Sequence, residues 1–317
     1  MQNSRLPIEL CELVIGFIQE PEPWWEGYAW WRDEPSELVR YTYICSAWLP
    51  RARLVLYRVV VLKEPSQVDL FICTITEHPW FTDMVGELVI QPKDQGTYIP
   101  FVHHTLVRRL CHLKTLVYDF DYQSAWVYPP RHHLLVLRYP ITELDIRNPP
   151  ITTWSQMFRL IWALPHLQRL SLAMWGPQYD TDSGTSNVNA ILRPLRTLVI
   201  EGRQSYDCLP ERAFGTSVKN LALECGVPSG HQYGPLSGQI HCFSSLQELF
   251  IGIRLPDRLK NNDFVATAYI IPILTQLPSQ DTLRSIIVRI MQIQVALPSD
   301  SDHPDIKTTL LRRRHTW

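Results

Sequence analysis

A few groups of residues in this chain have types and spacing that could do chemistry. Asp180-Thr181-Asp182 pairs two carboxylates that could hold a divalent metal, but it sits in Gly176 to Asn189, a polar stretch where aspartates ordinarily serve turns. His103-His104 and His132-His133 are adjacent pairs. Neighbouring side chains point in different directions in a helix and in a strand, so neither pair makes a two-ligand face. His241-Cys242 has no companion ligand at recognisable spacing, and these histidines are expected at the surface or in loops. No Gly-x-Gly-x-x-Gly, Gly-Lys-Ser/Thr phosphate loop, His-Glu-x-x-His or Gly-x-Ser-x-Gly occurs. The residues therefore predict no catalytic centre, no metal and no cofactor.

Composition narrows the partners. With 30 Lys plus Arg against 31 Asp plus Glu, the formal net charge of -1 gives no global field for a nucleic acid or an anionic membrane, so a protein partner is expected. Arg312-Arg313-Arg314 reads as a solvated, frayed end. The 7 cysteines include no Cys-x-x-Cys, the chain starts without a hydrophobic signal core, and it holds no Asn-x-Ser/Thr acceptor; a cytoplasmic or nuclear location is expected. The best apolar run, Ala268 to Leu277, is short and broken by Pro272, so no membrane span is predicted.

The elements begin with an amphipathic helix. Leu10, Leu13, Val14, Phe17 and Ile18 recur at three- and four-residue steps, Pro7 suits a first helical turn, and Glu9 lies near the positive end of the helix dipole. A second helix is predicted from Pro35-Ser36-Glu37, with Ser36 as cap and Leu38, Tyr41, Cys45 and Trp48 along one face. Leu56 to Leu62 is strongly β-branched and predicts a strand, followed by a helix over Gln67 to His78.

Beyond residue 60 an apolar-x-x-apolar-x-apolar triplet recurs, at Val85/Leu88/Ile90, Leu113/Leu116/Tyr118, Ile141/Leu144/Ile146, Leu167/Leu170/Leu172, Leu195/Leu198/Ile200, Val218/Leu221/Leu223, Leu246/Leu249/Ile251 and Leu283/Ile286/Val288. A nearly constant step of this kind marks units that each supply one strand and a return segment, with neighbours burying each other's apolar edges. Return helices are predicted around Trp154, Met157, Phe158, Ile161 and Trp162, and over Val265 to Leu277; Gly176 to Asn189 and Gly226 to Gly238 read as loops.

Two resemblances rest on these residues. Leu6-Pro7-x-Glu9-Leu10, then Ile15 and Ile18, then Glu37-Leu38 and Cys45-x-x-Trp48, resembles the ordered blocks of an F-box. That resemblance implies that Leu6, Pro7, Leu10, Ile15, Ile18, Leu38 and Cys45 insert into the Skp-type adaptor of a cullin-RING ubiquitin ligase, while Trp48 packs the module's own core. The chain departs from the family at 19-34, a Pro- and Trp-rich insert where F-boxes have a short connection. The triplets resemble degenerate leucine-rich repeats. The Asn or Cys which that family places three residues past the last apolar position is absent from every unit, so no regular polar ladder is expected. The layout is similar to that of fungal F-box proteins with irregular repeats. It implies an α/β chain: an N-terminal helical F-box at 1-60, an irregular leucine-rich-repeat-like solenoid with a curved parallel sheet at 61-291, and a C-terminal tail at 292-317.

In such a sheet alternate residues form columns pointing away from the core. One column would be Glu87, Thr115, Glu143, Arg169, Thr197, Asn220, Glu248 and Ser285, and the next Val89, Val117, Asp145, Ser171, Val199, Ala222, Phe250 and Ile287. The second, mixed apolar and polar, suits contact with an unknown protein target. Parallel strands covered on both faces, with the tail folded across them, would give the same composition. Three readings of function stand: a substrate receptor of an SCF-type ligase; a repeat scaffold for protein interaction outside a ligase, its first 60 residues serving as a helical cap; and an enzyme, which would need a deep pocket with convergent ionisable groups in place of an open curved sheet.

Overall fold

The structure is a computed structural model that describes residues 48–92, 99–120, 132–148, 154–174, 195–202, 216–226, 240–256, 270–271, 273–277 and 282–293, together with Leu10, Leu13, Val39 and Tyr43. It is an α/β architecture. The strands are β1 (Val59–Leu62), β2 (Glu87–Ile90), β3 (Thr115–Asp119), β4 (Glu143–Arg147), β5 (Arg169–Met174), β6 (Thr197–Gly202), β7 (Asn220–Gly226), β8 (Glu248–Pro256) and β9 (Ser285–Ile293). Their order in the sheet is their order in the chain, β1 to β9, and the sheet is open. The chain divides into two compact units, Met1–Pro150 with Gln156–His166, and Ile151–Ser155 with Leu167–Trp317.

In the first unit β1 to β4 pair in parallel, with Leu62, Ile90, Tyr118 and Ile146 in register. Parallel neighbours need a crossover long enough to return the chain to the same edge, and helices supply it. Helix α1 (Leu49–Arg58) leads into β1. Helices α2 (Pro65–Glu77) and α3 (Phe81–Met84) lie between β1 and β2, α4 (Ile99–Leu106) between β2 and β3, and α5 (His132–Val136) between β3 and β4. A further helix, α6 (Trp154–Ala163), follows β4.

Local sequence explains these helices. In α2, Pro65 occupies the first turn, where its missing amide is not needed, and Gln67 Oε1 accepts from Lys63 N–H at 2.6 Å. Val68, Phe71 and Ile75, spaced by three and four, form the buried face. In α1, Ala52 and Val55 are buried, and Trp48 packs against them. Tyr57 stacks on Phe81 of α3 with ring centroids 3.9 Å apart.

The strand expected over Leu56 to Leu62 begins only at Val59. Leu56, Tyr57 and Arg58 complete α1, because Pro50 starts a helix whose face packs on Trp48 and thereby overrides local β preference. The expected helix over Gln67 to His78 is present as α2, and the one around Trp154 to Trp162 as α6. Of the expected helix from Val265, residues Ile270, Ile271 and Ile273 to Thr275 are described and helical. Of the two expected loops, only Gly226 is described, and it ends β7.

Each triplet supplies one strand. Its last two apolar residues lie on the strand and its first lies just before it: Val85, Leu88 and Ile90 are fully buried, as are Leu113 and Leu116 with Tyr118 nearly so. The second unit repeats this, with Leu170, Leu198, Leu221 and Leu249 in adjacent register on β5 to β8, all buried. Burial of each such Leu or Ile contributes about 1.5–3 kcal/mol relative to exposure. Burial weakens at β9, where Ile286 and Ile290 are exposed.

Strands begin at a repeated backbone device. Gly86 O accepts from both Lys114 N–H and Thr115 N–H, at 2.9 and 3.0 Å, and Lys114 O accepts from Thr142 and Glu143 at 2.9 and 3.0 Å. In the second unit Gln168 O serves Arg196 and Thr197, Arg196 O serves Lys219 and Asn220, Lys219 O serves Gln247 and Glu248, and Gln247 O serves Arg284 and Ser285. A carbonyl has two lone pairs, so both amides are satisfied by one acceptor.

Candidate functional site

Residues of β2 to β4 alternate between two faces. Leu88, Ile90, Leu116, Tyr118, Leu144 and Ile146 share one, while Glu87, Val89, Thr115, Val117, Asp119, Asp145 and Arg147 share the other. Both faces are buried here, with Val89 and Val117 fully so and Glu87 only 7% exposed. The second face carries a buried polar cluster built by the parity of the strands.

Arg147 donates from Nε and Nη2 to the same Asp145 oxygen, Oδ2, at 3.2 and 3.1 Å, leaving Asp145 Oδ1 buried without a hydrogen-bond partner. Gln91, just past β2, donates from Nε2 to Asp119 Oδ2 at 2.9 Å, and its own Oε1 is likewise unsatisfied. Asp119 and Arg147 lie in register on adjacent strands. Glu87 completes the cluster with an unsatisfied Oε1. Burial, then the nearby charges of Asp145 and Glu143, push its carboxyl up to about 8, against the opposing pull of Arg58 and Arg147. Glu87 is thus mainly protonated at neutral pH, and the cluster holds a proton inside the fold.

Where β4 ends, Asn148 takes a positive φ of 47°, a conformation that asparagine tolerates, and donates from Nδ2 to Phe120 O at 3.2 Å. One side-chain amide thus bridges the ends of β3 and β4, one residue before the position where a polar ladder was sought.

On the helix-facing side, His103 of α4 is fully buried between two phenols. Its Nε2 lies 2.8 Å from Tyr118 Oη and its Nδ1 3.4 Å from Tyr139 Oη, with both rings edge-on to the imidazole. Burial pushes the Tyr139 hydroxyl above its usual range, so it stays protonated. His103 was expected at the surface and is a core residue. It follows Val102 on a helix whose Val102 and Leu106 face inward, and a helix this tightly packed buries the neighbouring column as well. His104 is exposed, His132 and His133 open α5, and His241 is exposed with its Nε2 3.5 Å from Cys242 Sγ. Asp180 and Asp182 lie outside the described residues.

In the second unit Ser171, Val199, Ala222 and Phe250 form the corresponding column and are buried, whereas Ile287 is half-buried. Glu201 and Glu224, in register on β6 and β7, are buried one column further along. Gly252 lies beside Glu224. A Cβ there would come 3.0 Å from Glu224 Cγ and 3.1 Å from the Phe250 ring, so glycine leaves the room that Phe250 occupies. Every residue named for target contact except Ile287 is therefore buried. Of the residues named for adaptor contact, Leu10 is described: it is helical and 46% exposed. Leu6, Pro7, Ile15, Ile18, Leu38 and Cys45 lie outside the described residues.

The sequence reading placed Glu87 and Asp145 in columns but missed that Gln91, Asp119 and Arg147 extend them into one buried cluster. The signal was available, since these three continue the same two-residue alternation one step past the apolar triplet. No family model matches the chain, and no curated protein matches it.

Two outcomes follow from this chemistry. Glu87 binds its proton up to about pH 8 when folded, while the unfolded carboxyl releases it near 4.5, so its contribution is most favourable below 4.5 and is lost as pH rises toward 8. Glu87→Gln should remove that slope: its urea midpoint, relative to wild type, should rise between pH 4.5 and 8, and a pH-independent difference would contradict the assignment. His103→Phe takes away the imidazole that both phenols face and should cost about 1–3 kcal/mol in urea unfolding. Adding Tyr118→Phe should recover part of that loss, whereas simple additivity of the two substitutions would show that the imidazole and phenol are uncoupled.

Proposed function

We propose that this chain is a non-enzymatic substrate-recognition adaptor of an SCF-type ubiquitin ligase, with an F-box at 1-60 that binds the Skp-type adaptor and a leucine-rich-repeat-like region, its parallel sheet curved, that binds a protein target. The observation that carries the reading is the strand order: each repeat adds one parallel strand beside its predecessor, β1 to β9. Nucleotide-binding doubly wound sheets instead reverse their order, and the reversal creates the crevice that holds the ligand. A sheet that only extends in one direction favours a scaffold for macromolecules over that type of enzyme. At the N-terminus, Leu10 and Leu13 are helical, three residues apart and exposed, as apolar residues waiting for a partner would be. The role is positioning: holding a target beside a loaded ubiquitin-conjugating enzyme raises the effective concentration of its lysines.

A second reading, a repeat scaffold outside any ligase, draws on α1. Its Tyr57 stacks on Phe81 of α3, so the segment leading out of residues 1-60 is packed on the first repeat as a cap would be. One experiment separates the two. Wild-type protein should retain the Skp-type adaptor in a pull-down and the Leu6/Pro7/Leu10 triple alanine variant should lose it. Equally poor retention by both would refute the ligase reading and leave the scaffold.

A further inference from the structure

We propose that Asp83, Cys111 and His112 form a surface site for a divalent transition metal of the zinc type, clamping two successive repeats together. Their ligand atoms, a carboxylate oxygen, a thiol sulfur and an imidazole nitrogen, all lie within 4.8 Å of one another. His112 Nε2 is 3.6 Å from Asp83 Oδ1, and those side chains are 62% and 66% exposed. In a tetrahedral zinc site, bonds of about 2.0–2.3 Å place neighbouring ligand atoms roughly 3.5 Å apart. The Asp83–His112 separation is close to that value, and the other ligand atoms lie within 4.8 Å on exposed side chains.

The repeat itself brings these ligands together. Asp83 and Cys111 each stand two residues before the first apolar position of their triplets, Val85 and Leu113, and therefore occupy equivalent places in successive units. Asp83 lies on α3, whose backbone is fixed by Phe81, Thr82 and Asp83 amides bonded to His78, Pro79 and Trp80 carbonyls. Cys111 and His112 lie in the turn before β3, which Lys114 and Thr115 pin to Gly86 O. Each ligand-bearing segment is thus held by backbone hydrogen bonds, local ones in α3 and the strand-start bonds after His112.

The donor set points to the metal. Oxygen, nitrogen and sulfur together suit a borderline ion such as Zn²⁺ or Co²⁺ and not the oxygen-seeking Mg²⁺ or Ca²⁺. Three protein ligands leave a fourth position for water. Binding expels the Cys111 thiol proton to solvent as the sulfur–metal bond forms, so occupancy increases with pH. An ion that binds only the folded chain also stabilises it. The metal was not foreseen from spacing, because its ligands come from two repeats and two of them are adjacent in sequence.

The test is titration of the reduced full-length protein with Co²⁺. Wild type should develop the visible bands of a four-coordinate ion and a thiolate-to-cobalt charge-transfer band, with Zn²⁺ displacing both. Cys111→Ser should lose the charge-transfer band, Asp83→Asn and His112→Ala should shift the titration to higher Co²⁺, and Cys73→Ser, at another exposed thiol, should match wild type. Far-ultraviolet circular dichroism would establish that each variant is folded. No charge-transfer band in wild type, or an undiminished one in folded Cys111→Ser, would overturn the proposal.

Discussion

Just before the strands, one backbone carbonyl accepts two consecutive amides from the following repeat, and the register of the sheet hangs on that contact. Gly86 O holds Lys114 and Thr115, Lys114 O holds Thr142 and Glu143, and the same pattern runs from Gln168 to Ser285 in the second unit. Because acceptor and donors are all backbone, the side chains at these places can be glycine, lysine, glutamine or arginine without changing the geometry. Two amides fixed on one acceptor set where a strand begins and which of its residues face the core. A slip of one residue would move Leu88, Leu116 and Leu144 onto the face that carries the buried polar cluster and bring Glu87, Thr115 and Glu143 onto the apolar face of Ile90 and Tyr118.

This device accounts for the tolerance of the repeat to irregular length. Thr197 and Asn220 are 23 residues apart and Thr115 and Glu143 are 28 apart, yet both pairs start their strands in the same way. Register is counted from the strand start and not from the connection, and added residues in a connection change closure entropy only slowly with length. The buried polar residues follow from the same periodicity. Glu87, Gln91, Asp119, Asp145 and Arg147 are on one face because the strands are held in phase, and their partial pairing is retained at a cost in desolvation.

The sequence shows the fold more readily than the site, for physical reasons. Leu88/Ile90, Leu116/Tyr118 and Leu249/Ile251 announce strands because burying two apolar residues per unit is the main stabilising term, and that term is written in residue type. The boundary at Val59 was hidden because a helix started by Pro50 and packed on Trp48 competes with β-branched preference. His103 was misplaced because nothing local tells that Tyr118 and Tyr139, 15 and 36 residues later, close around it. Asp83, Cys111 and His112 met no motif for the same reason. Their proximity is a property of stacking between repeats, whereas ligand motifs are recognised by spacing within one. The blocks that resemble an F-box lie at the opposite extreme: they are legible as residues, and of them the structure describes Leu10, which is helical and exposed.

Residue-resolved amide hydrogen exchange tests the shared-carbonyl account most directly. Both amides of each pair, Lys114 with Thr115, Thr142 with Glu143, Arg196 with Thr197, Lys219 with Asn220 and Gln247 with Glu248, should exchange slowly and at matched rates. If the first amide of each pair exchanged orders of magnitude faster than the second, the carbonyl would be holding one donor, and the account of how register is set would fail.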